Sequence, residues 1–411
     1  MRIFFIIPFY SCEFYVLTDF YIDLFILSQY NTIRQKISRR LPTVVIKNGN
    51  VFCPDFIFRK RDLYISNGLI VSDETSAVAD GIIIDASEKY VIPGLVDIHS
   101  HGAVGRDFCD ADVDGLEAIL RYEKSCGITS YCPTSMTYSF EILKDIFSSV
   151  KNISADSTMA NIVGINMEGP FISFKKKGAQ NEKYIQKPDV EMFRQLNRIC
   201  DNKVKLVTIA PEIEDTDAFI AELKNEVNIS IGHTDANYEC AMAAFAAGAN
   251  HVTHLCNAMP SFHHRDTGVF GAAADNEKVF VELICDGIHI HPSMIRTIFK
   301  IFGSDRICLI SDSIEATGME DGKYQLGGQE VFKKGFHATL TDGTLAGSVS
   351  NLFDCMKNAV AFGIPLEAAI KSATTTPAKS IGAYPNIGSL QVGAKADVLI
   401  VSKGMELEKV L

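Results

Sequence analysis

Residues 91–102 read V-I-P-G-L-V-D-I-H-S-H-G, and the reading of this stretch decides the fold. Leu95, Val96 and Ile98 make an apolar run just long enough for a buried strand, and Pro93-Gly94 marks a sharp entry where no ladder donor is needed. His99 and His101 follow, two positions apart. Alternate side chains on a strand face the same way, so at the strand's end both imidazoles reach one point. That pair suits a divalent metal that takes nitrogen and oxygen ligands. A lone His-x-His is as well explained by an ordinary loop, so the rest of the chain decides between the two.

Downstream, short apolar runs recur at Ile128–Cys132, Ile162–Met167, Val204–Ile209, Val227–Ile231, His251–Thr253, Val279–Ile284 and Ile307–Ile310. Helical patterns such as Val113–Ser125, Phe140–Asn152, Val190–Ile199 and Asn237–Ala247 lie between them. This alternation predicts an α/β fold with a parallel sheet, and runs that are apolar throughout suit strands covered on both faces. With Leu95–Ile98 the runs make eight strand–helix units, which favours a closed (β/α)8 TIM-like barrel over an open doubly wound sheet. No Gly-x-Gly-x-x-Gly follows the first strand, so a dinucleotide fold has no support.

Upstream, Val44–Ile46, Lys47–Asn50 and Val51–Phe52 read as strand, turn, strand, and Leu63–Val71 repeats the form around Asn67-Gly68. Ile82–Ile84 is another short strand, and Gly388–Val401 has the same character at the other end. These predict a small antiparallel β-sandwich domain built from both chain ends, residues 43–94 and 385–411, interrupted by the barrel at 95–384. Gly318–Gly347, rich in glycine and charge, reads as a hairpin-bearing insertion after the eighth strand, and the stop at Leu411 leaves room for one more small-domain strand. Residues 1–42 form an atypical leader outside the fold. Its apolar run is broken by Pro8, then by Glu13, Asp19 and Asp23, and falls short of the ~20 residues a membrane span needs; a signal anchor is the alternative.

The chain has 411 residues and a formal charge of -11, with no Lys/Arg stripe. That argues against nucleic acid as a partner, while leaving room for a small anion in a local positive pocket. Its 11 cysteines are scattered with no Cys-x-x-Cys, which predicts free thiols in a reducing, cytoplasmic compartment. All 10 histidines lie at or after position 99.

Polar residues sit just past the ends of successive strands. His99 and His101 follow the first, Glu168 the third, His233 the fifth, His254 the sixth, Asp286 and His289 the seventh, and Asp312 the eighth. In a parallel barrel these ends share the face where active sites are built.

With these motifs the sequence resembles the N-acetylglucosamine-6-phosphate deacetylases of the amidohydrolase superfamily. The matching pieces are Pro93–Gly102, Met167–Phe171, Lys177–Asn181, Gly232–Thr234, His254–Met259, Arg265 before Gly268, Asp286–His289, Ser311-Asp312 and Gly343–Ser348, in the family's order. The resemblance implies Glu168, His233 and His254 as principal ligands of a divalent metal, zinc or iron. It implies His99 and His101 as a second position that only some members occupy, so one or two ions per subunit. It implies Asp312 as the catalytic base and then acid. Asn257, Ala258 and Arg265 would handle the sugar phosphate, with Arg265 reaching across a homodimer interface. His289 would stand near the acetyl group as an oxyanion donor, Asp286, Ala179 and Gln180 would contact substrate, and Leu345, Ala346 and Gly347 would lie over the sugar. The implied reaction is metal-dependent deacetylation of N-acetylglucosamine 6-phosphate. The alternatives are a related amidohydrolase acting on another amide, or a catalytically silent sugar-phosphate sensor; Arg265 with Asn257-Ala258 favours the phosphorylated substrate, and retention of Asp312 and every metal histidine favours catalysis. His251, His291 and His337 are read as structural, and His263 and His264 as surface residues.

Overall fold

The computed structural model describes residues 43–72 and 81–411, so the expected leader at 1–42 lies outside the described residues. Eight parallel strands form the centre: Leu95–Ser100, Ile128–Ser135, Ile165–Glu168, Val204–Ile209, Asn228–Ile231, His251–Val252, Phe280–Ile284 and Ile307–Ile310. Each pairs in parallel with the next. No ladder joins the eighth to the first, but the Asp312 amide donates to His99 O at 2.9 Å and the His101 amide to Ser313 O at 2.8 Å. The barrel is thus nearly closed, and those two bonds bring candidate site residues together across the seam.

Alternation along the strands sorts the core. Leu95, Val207, Leu283 and Leu309 belong to the large cluster shared with the surrounding helices. Their neighbours Val96, Leu206, Ile284 and Ile310 gather in a second cluster. The helix Val113–Ser125 shows the matching pattern, burying Leu116, Ile119 and Leu120 at helical spacing behind an Asp112 cap that accepts from the Asp114 and Gly115 amides.

Four sequence expectations need correction. The run at Ile162–Met167 is two pieces, Asn161–Ile162 and Ile165–Glu168, because Gly164 brings the backbone against Lys205, where a Cβ would lie 2.3 Å from its Cγ. The strands are not apolar throughout: Asp97, Thr208, Ser230 and Glu282 are fully buried in them. Thr208, Ser230 and Thr253 satisfy one another through hydroxyl contacts of 2.6–2.8 Å, so these three hydroxyls cost little to bury. Third, Val44–Phe52 is one strand. Asn48, with φ +61°, is absorbed as a bulge between Ile46 and Gly49.

That strand sits in a seven-stranded sheet drawn from both chain ends. It pairs antiparallel with Phe58–Ser66 but parallel with Ile82–Asp85 and Tyr90–Pro93, so the sheet is mixed rather than antiparallel. Val398–Val401 joins it beside Tyr90–Pro93. Ile46, Leu63, Val91, Val398 and Ile400 form its own core, in keeping with a small β unit beside the barrel. The stretch after the eighth strand carries an antiparallel three-stranded sheet, Gly322–Leu326, Gln329–Lys334 and His337–Leu340. Among the described residues no helix is long and apolar enough to cross a membrane.

Candidate active site

The strand ends deliver two buried groups of ligand atoms. His99, His101 and Asp312 form one, and Glu168, His233 and His254 the other; within each group the atoms lie within 4.8 Å of one another. Glu168 stands between them. Its Oε1 lies 3.2 Å from His233 Nε2 and 3.0 Å from His254 Nε2. On the other side it lies 3.4 Å from His99 Nε2, while Oε2 lies 3.5 Å from His101 Nε2. Asp312 Oδ1 faces the same two histidines at 3.6 and 3.4 Å.

The far nitrogens explain why the rings point inward. His233 Nδ1 donates to Lys176 O at 2.9 Å and His101 Nδ1 to Thr134 O at 3.1 Å, because a carbonyl oxygen only accepts. His99 Nδ1 lies 2.8 Å from Glu282 Oε2 and donates to it. In the neutral tautomer each ring then turns an unprotonated Nε2 toward the shared centre. The buried His99 Nε2 has no hydrogen-bond partner. Bare, converging imidazole nitrogens around a carboxylate are costly without a cation and suit one well. These groups fit a divalent metal centre.

Backbone geometry marks the same residues. His233, His254 and Asp312 have φ of +45°, +26° and +50°, a region that side chains rarely adopt. Strain of this kind collects where a structure must aim a side chain. When the rings are protonated instead, burial works to raise the Glu168 carboxyl, but the charges on His99 and His233 outweigh it and hold it well below its ordinary value. In that state Asp312 is likewise held low against burial, by a hydrogen bond from the protonated His101 ring and by the charge on His99.

Above the centre opens a cavity of about 370 Å³. His101, Glu168, His233, His254, Asp312 and His289 are in its lining, as are Ala179, Gln180, Asn257, Ala258, Leu345 and Gly347. Other residues named from the sequence lie outside the lining. Asp286 sits behind His289, accepting from its Nδ1 at 2.6 Å and from its amide at 2.9 Å, so it orients the ring. Ala346 is fully buried, its amide bonded to Ala338 O. Arg265 is exposed, on a turn closed by the His263–Asp266 bridge, away from the cavity of its own chain. Gln180 does more than line the site: its Nε2 donates to Glu168 Oε2 at 2.6 Å and its Oε1 accepts from the Thr137 amide at 2.7 Å. His251 is pushed down to about 4 by burial and packs on Phe280, away from the cavity.

Sequence reasoning missed Glu282, Lys175, Lys176, Met136 and Thr344. Glu282 had a visible signal, a lone charge within the apolar run Val279–Ile284. The two lysines line the cavity, with Lys175 paired to Asp235 at 3.0 Å. Their signal was the Lys175–Lys177 run just ahead of Gly178.

The family model of the amidohydrolases matches residues 90–411. The chain belongs to the amidohydrolase family. Its buried His, Asp and Glu groups fit the divalent metal that this family and its amide-hydrolase chemistry support. N-acetylglucosamine-6-phosphate deacetylase of Bacillus subtilis (strain 168) is 37% identical over 342 residues, 82% of this chain and 84% of that protein. The enzyme of the same name from Lysinibacillus sphaericus is 33% identical over 377 residues, 90% and 96% of the two chains. A solved structure of the Mycobacterium smegmatis N-acetyl-D-glucosamine-6-phosphate deacetylase, a mutant in complex with N-acetyl-D-glucosamine-6-phosphate, superposes with a TM-score of 0.84 at 29% identity. That match covers 90% of this chain and 98% of the other.

Proposed function

We propose that this chain hydrolyses the acetamide of N-acetylglucosamine 6-phosphate, giving glucosamine 6-phosphate and acetate. The observation that carries the reading is the pair of buried ligand groups sharing Glu168 beneath a cavity with Asp312 in its lining. Glu168, His233 and His254 would hold the principal divalent ion, zinc or iron, and His99 and His101 with Asp312 would hold a second. A bound ion supplies Lewis acidity, which polarises the acetyl carbonyl and eases loss of a proton from water.

The remaining work falls to side chains. Asp312 takes a proton from the attacking water as its oxygen bonds to the acetyl carbon. It then returns that proton to the nitrogen as the C–N bond breaks, because an amine leaves poorly unless protonated. His289, braced by Asp286, stands where a donor stabilises the developing oxyanion. Asn257, Ala258 and Lys176 meet the sugar phosphate. Arg265 completes that subsite from the second subunit of a homodimer, where its planar fork suits a phosphate. Ala179, Gln180, Leu345 and Gly347 close around the sugar, with Ala346 supporting that loop. The division into a β unit at 43–94 and 385–411 and a barrel at 95–384 belongs to the same reading. So does work in the cytoplasm, which the ten free cysteines among the described residues favour.

Acetate release from N-acetylglucosamine with and without the 6-phosphate, at equal metal loading, tests the proposal. Strong preference for the phosphorylated sugar is expected. Equal rates would point instead to another amide substrate, and no release from either to a silent sensor.

A further inference from the structure

Glu282 is a buried charge that no step of the proposed reaction uses. It stands mid-way along the seventh barrel strand, Phe280–Ile284, and is fully enclosed. An acid in such a strand is expensive unless its contacts justify it. Its Oε2 accepts from His99 Nδ1 at 2.8 Å and from the His254 amide at 3.1 Å. One oxygen therefore touches both ligand groups, His99 in the first and His254 in the second.

The two contacts differ in kind. At His99 the bond decides the tautomer: the proton sits on Nδ1, and Nε2 is left bare toward Glu168 at 3.4 Å and Asp312 at 3.6 Å. At His254 the bond holds the backbone of a residue with φ +26°, while the ring Nδ1 is buried without a partner. Glu282 thus governs the electronic character of the first ring and only the placement of the second. A carboxylate behind a ligating imidazole raises its donor strength and fixes its aim.

We propose that Glu282 is a positioning residue that makes the His99–His101–Asp312 group able to hold a second divalent ion. The inference rests on the reading that both groups bind metal. It separates this chain's own design from a bare His-x-His pair: the histidines supply the nitrogens, and Glu282 makes one of them a strong, correctly turned donor.

The test is a zinc titration of metal-stripped full-length protein by calorimetry, with elemental analysis of the loaded form. Wild type is expected to bind two ions per chain. Glu282→Gln keeps an acceptor for the His254 amide but loses the charge behind His99. It is expected to bind the tighter ion as wild type does and the weaker one roughly 10- to 100-fold less tightly. In a His99→Gln, His101→Asn background, which lacks the first group, adding Glu282→Gln is expected to leave the affinity of the remaining ion unchanged.

Two full-affinity ions in Glu282→Gln would overturn the inference, as would an equal loss at both positions. A wild type that binds a single ion overturns it too, while a wild type that binds none overturns the proposed function with it. If Glu282→Gln does not fold, nitrogen-15 spectra of the metal-stripped wild type, recorded at a pH where the His99 ring is neutral, decide: its proton is expected on Nδ1, and a proton on Nε2 is the contrary result.

Discussion

Asp312 joins the two halves of the proposed chemistry, because it faces His99 and His101 on one side and the cavity on the other. Asp312→Asn keeps the volume and removes the base. It is expected to retain the ion at Glu168, His233 and His254 while turnover falls by about 10²- to 10⁴-fold, read as acetate release beside metal content. Full turnover in that variant would remove the assigned proton carrier. A neighbouring residue tests the geometry. Gly347 has φ +61°, and a Cβ there would meet Ile314 Cγ2 at 2.6 Å and Asp312 O at 2.9 Å. Gly347→Ala is therefore expected to cost roughly 1–2 kcal/mol in the left-handed backbone alone and to shift Asp312, lowering kcat. Wild-type kcat and stability would show that the loop yields without cost.

Among the elements, the loops after the barrel strands aim the ligands and the helices behind them hold the loops. Asn237 caps the helix Tyr238–Ala247, four residues after His233, by accepting from the Cys240 amide at 2.9 Å. Asn237→Ala is expected to cost about 1 kcal/mol in chemical denaturation with little change in KM, since the cap touches no substrate group.

The helix Val113–Ser125 carries a pH-dependent element. Glu123 is fully buried, neither carboxyl oxygen has a hydrogen-bond partner, and burial with the nearby Asp97 charge pushes its pKa well above the ordinary 4.5. The folded chain therefore keeps a proton there that the unfolded chain releases. Its contribution is fully present below about 4.5 and is lost as pH rises toward the folded value. Asp97, raised by burial to about 7, acts with the same sign from an ordinary 3.8. Denaturation midpoints of wild type against Glu123→Gln, measured from pH 4.5 to 8, should converge at low pH and part in favour of the variant at high pH. Parallel curves would mean that Glu123 folds in its charged form.

For the whole molecule, metal and folding are one equilibrium, because the converging ligands exist only when the barrel has closed. Removing the ions with a chelator is expected to lower the melting temperature, and returning zinc to restore it, by the mass action of a ligand that binds the native state. An unchanged melting temperature across that cycle would mean that the buried groups hold no ion. Assembly is tested at Arg265, exposed on its own chain. Arg265→Ala is expected to raise KM for the phosphorylated sugar by roughly 10- to 100-fold, the scale of lost charged hydrogen bonds, while leaving the unphosphorylated sugar unaffected. Equal effects on both sugars would place Arg265 outside the phosphate subsite.

What the sequence by itself determined was periodic and local. Apolar runs between helical patterns set the (β/α)8 count, and each polar residue just past a run was legible because strands end where the barrel's face begins. Val190–Ile199 needed no adjustment at its ends, since its cap and apolar spacing are local signals. Contacts between residues distant in sequence were decided only by the tertiary structure. Glu282 reads as a stray charge until folding sets it beside His99, 183 residues away. Gln180 reads from the sequence only as a substrate contact, and its bond to Glu168 appears only in the fold. The turn signal at Asn48 became a bulge because pairing with Phe58–Ser66 continued on both sides of it. Spacing along a chain reports which way a side chain points on its own element, whereas the partner it meets depends on where the rest of the barrel closes.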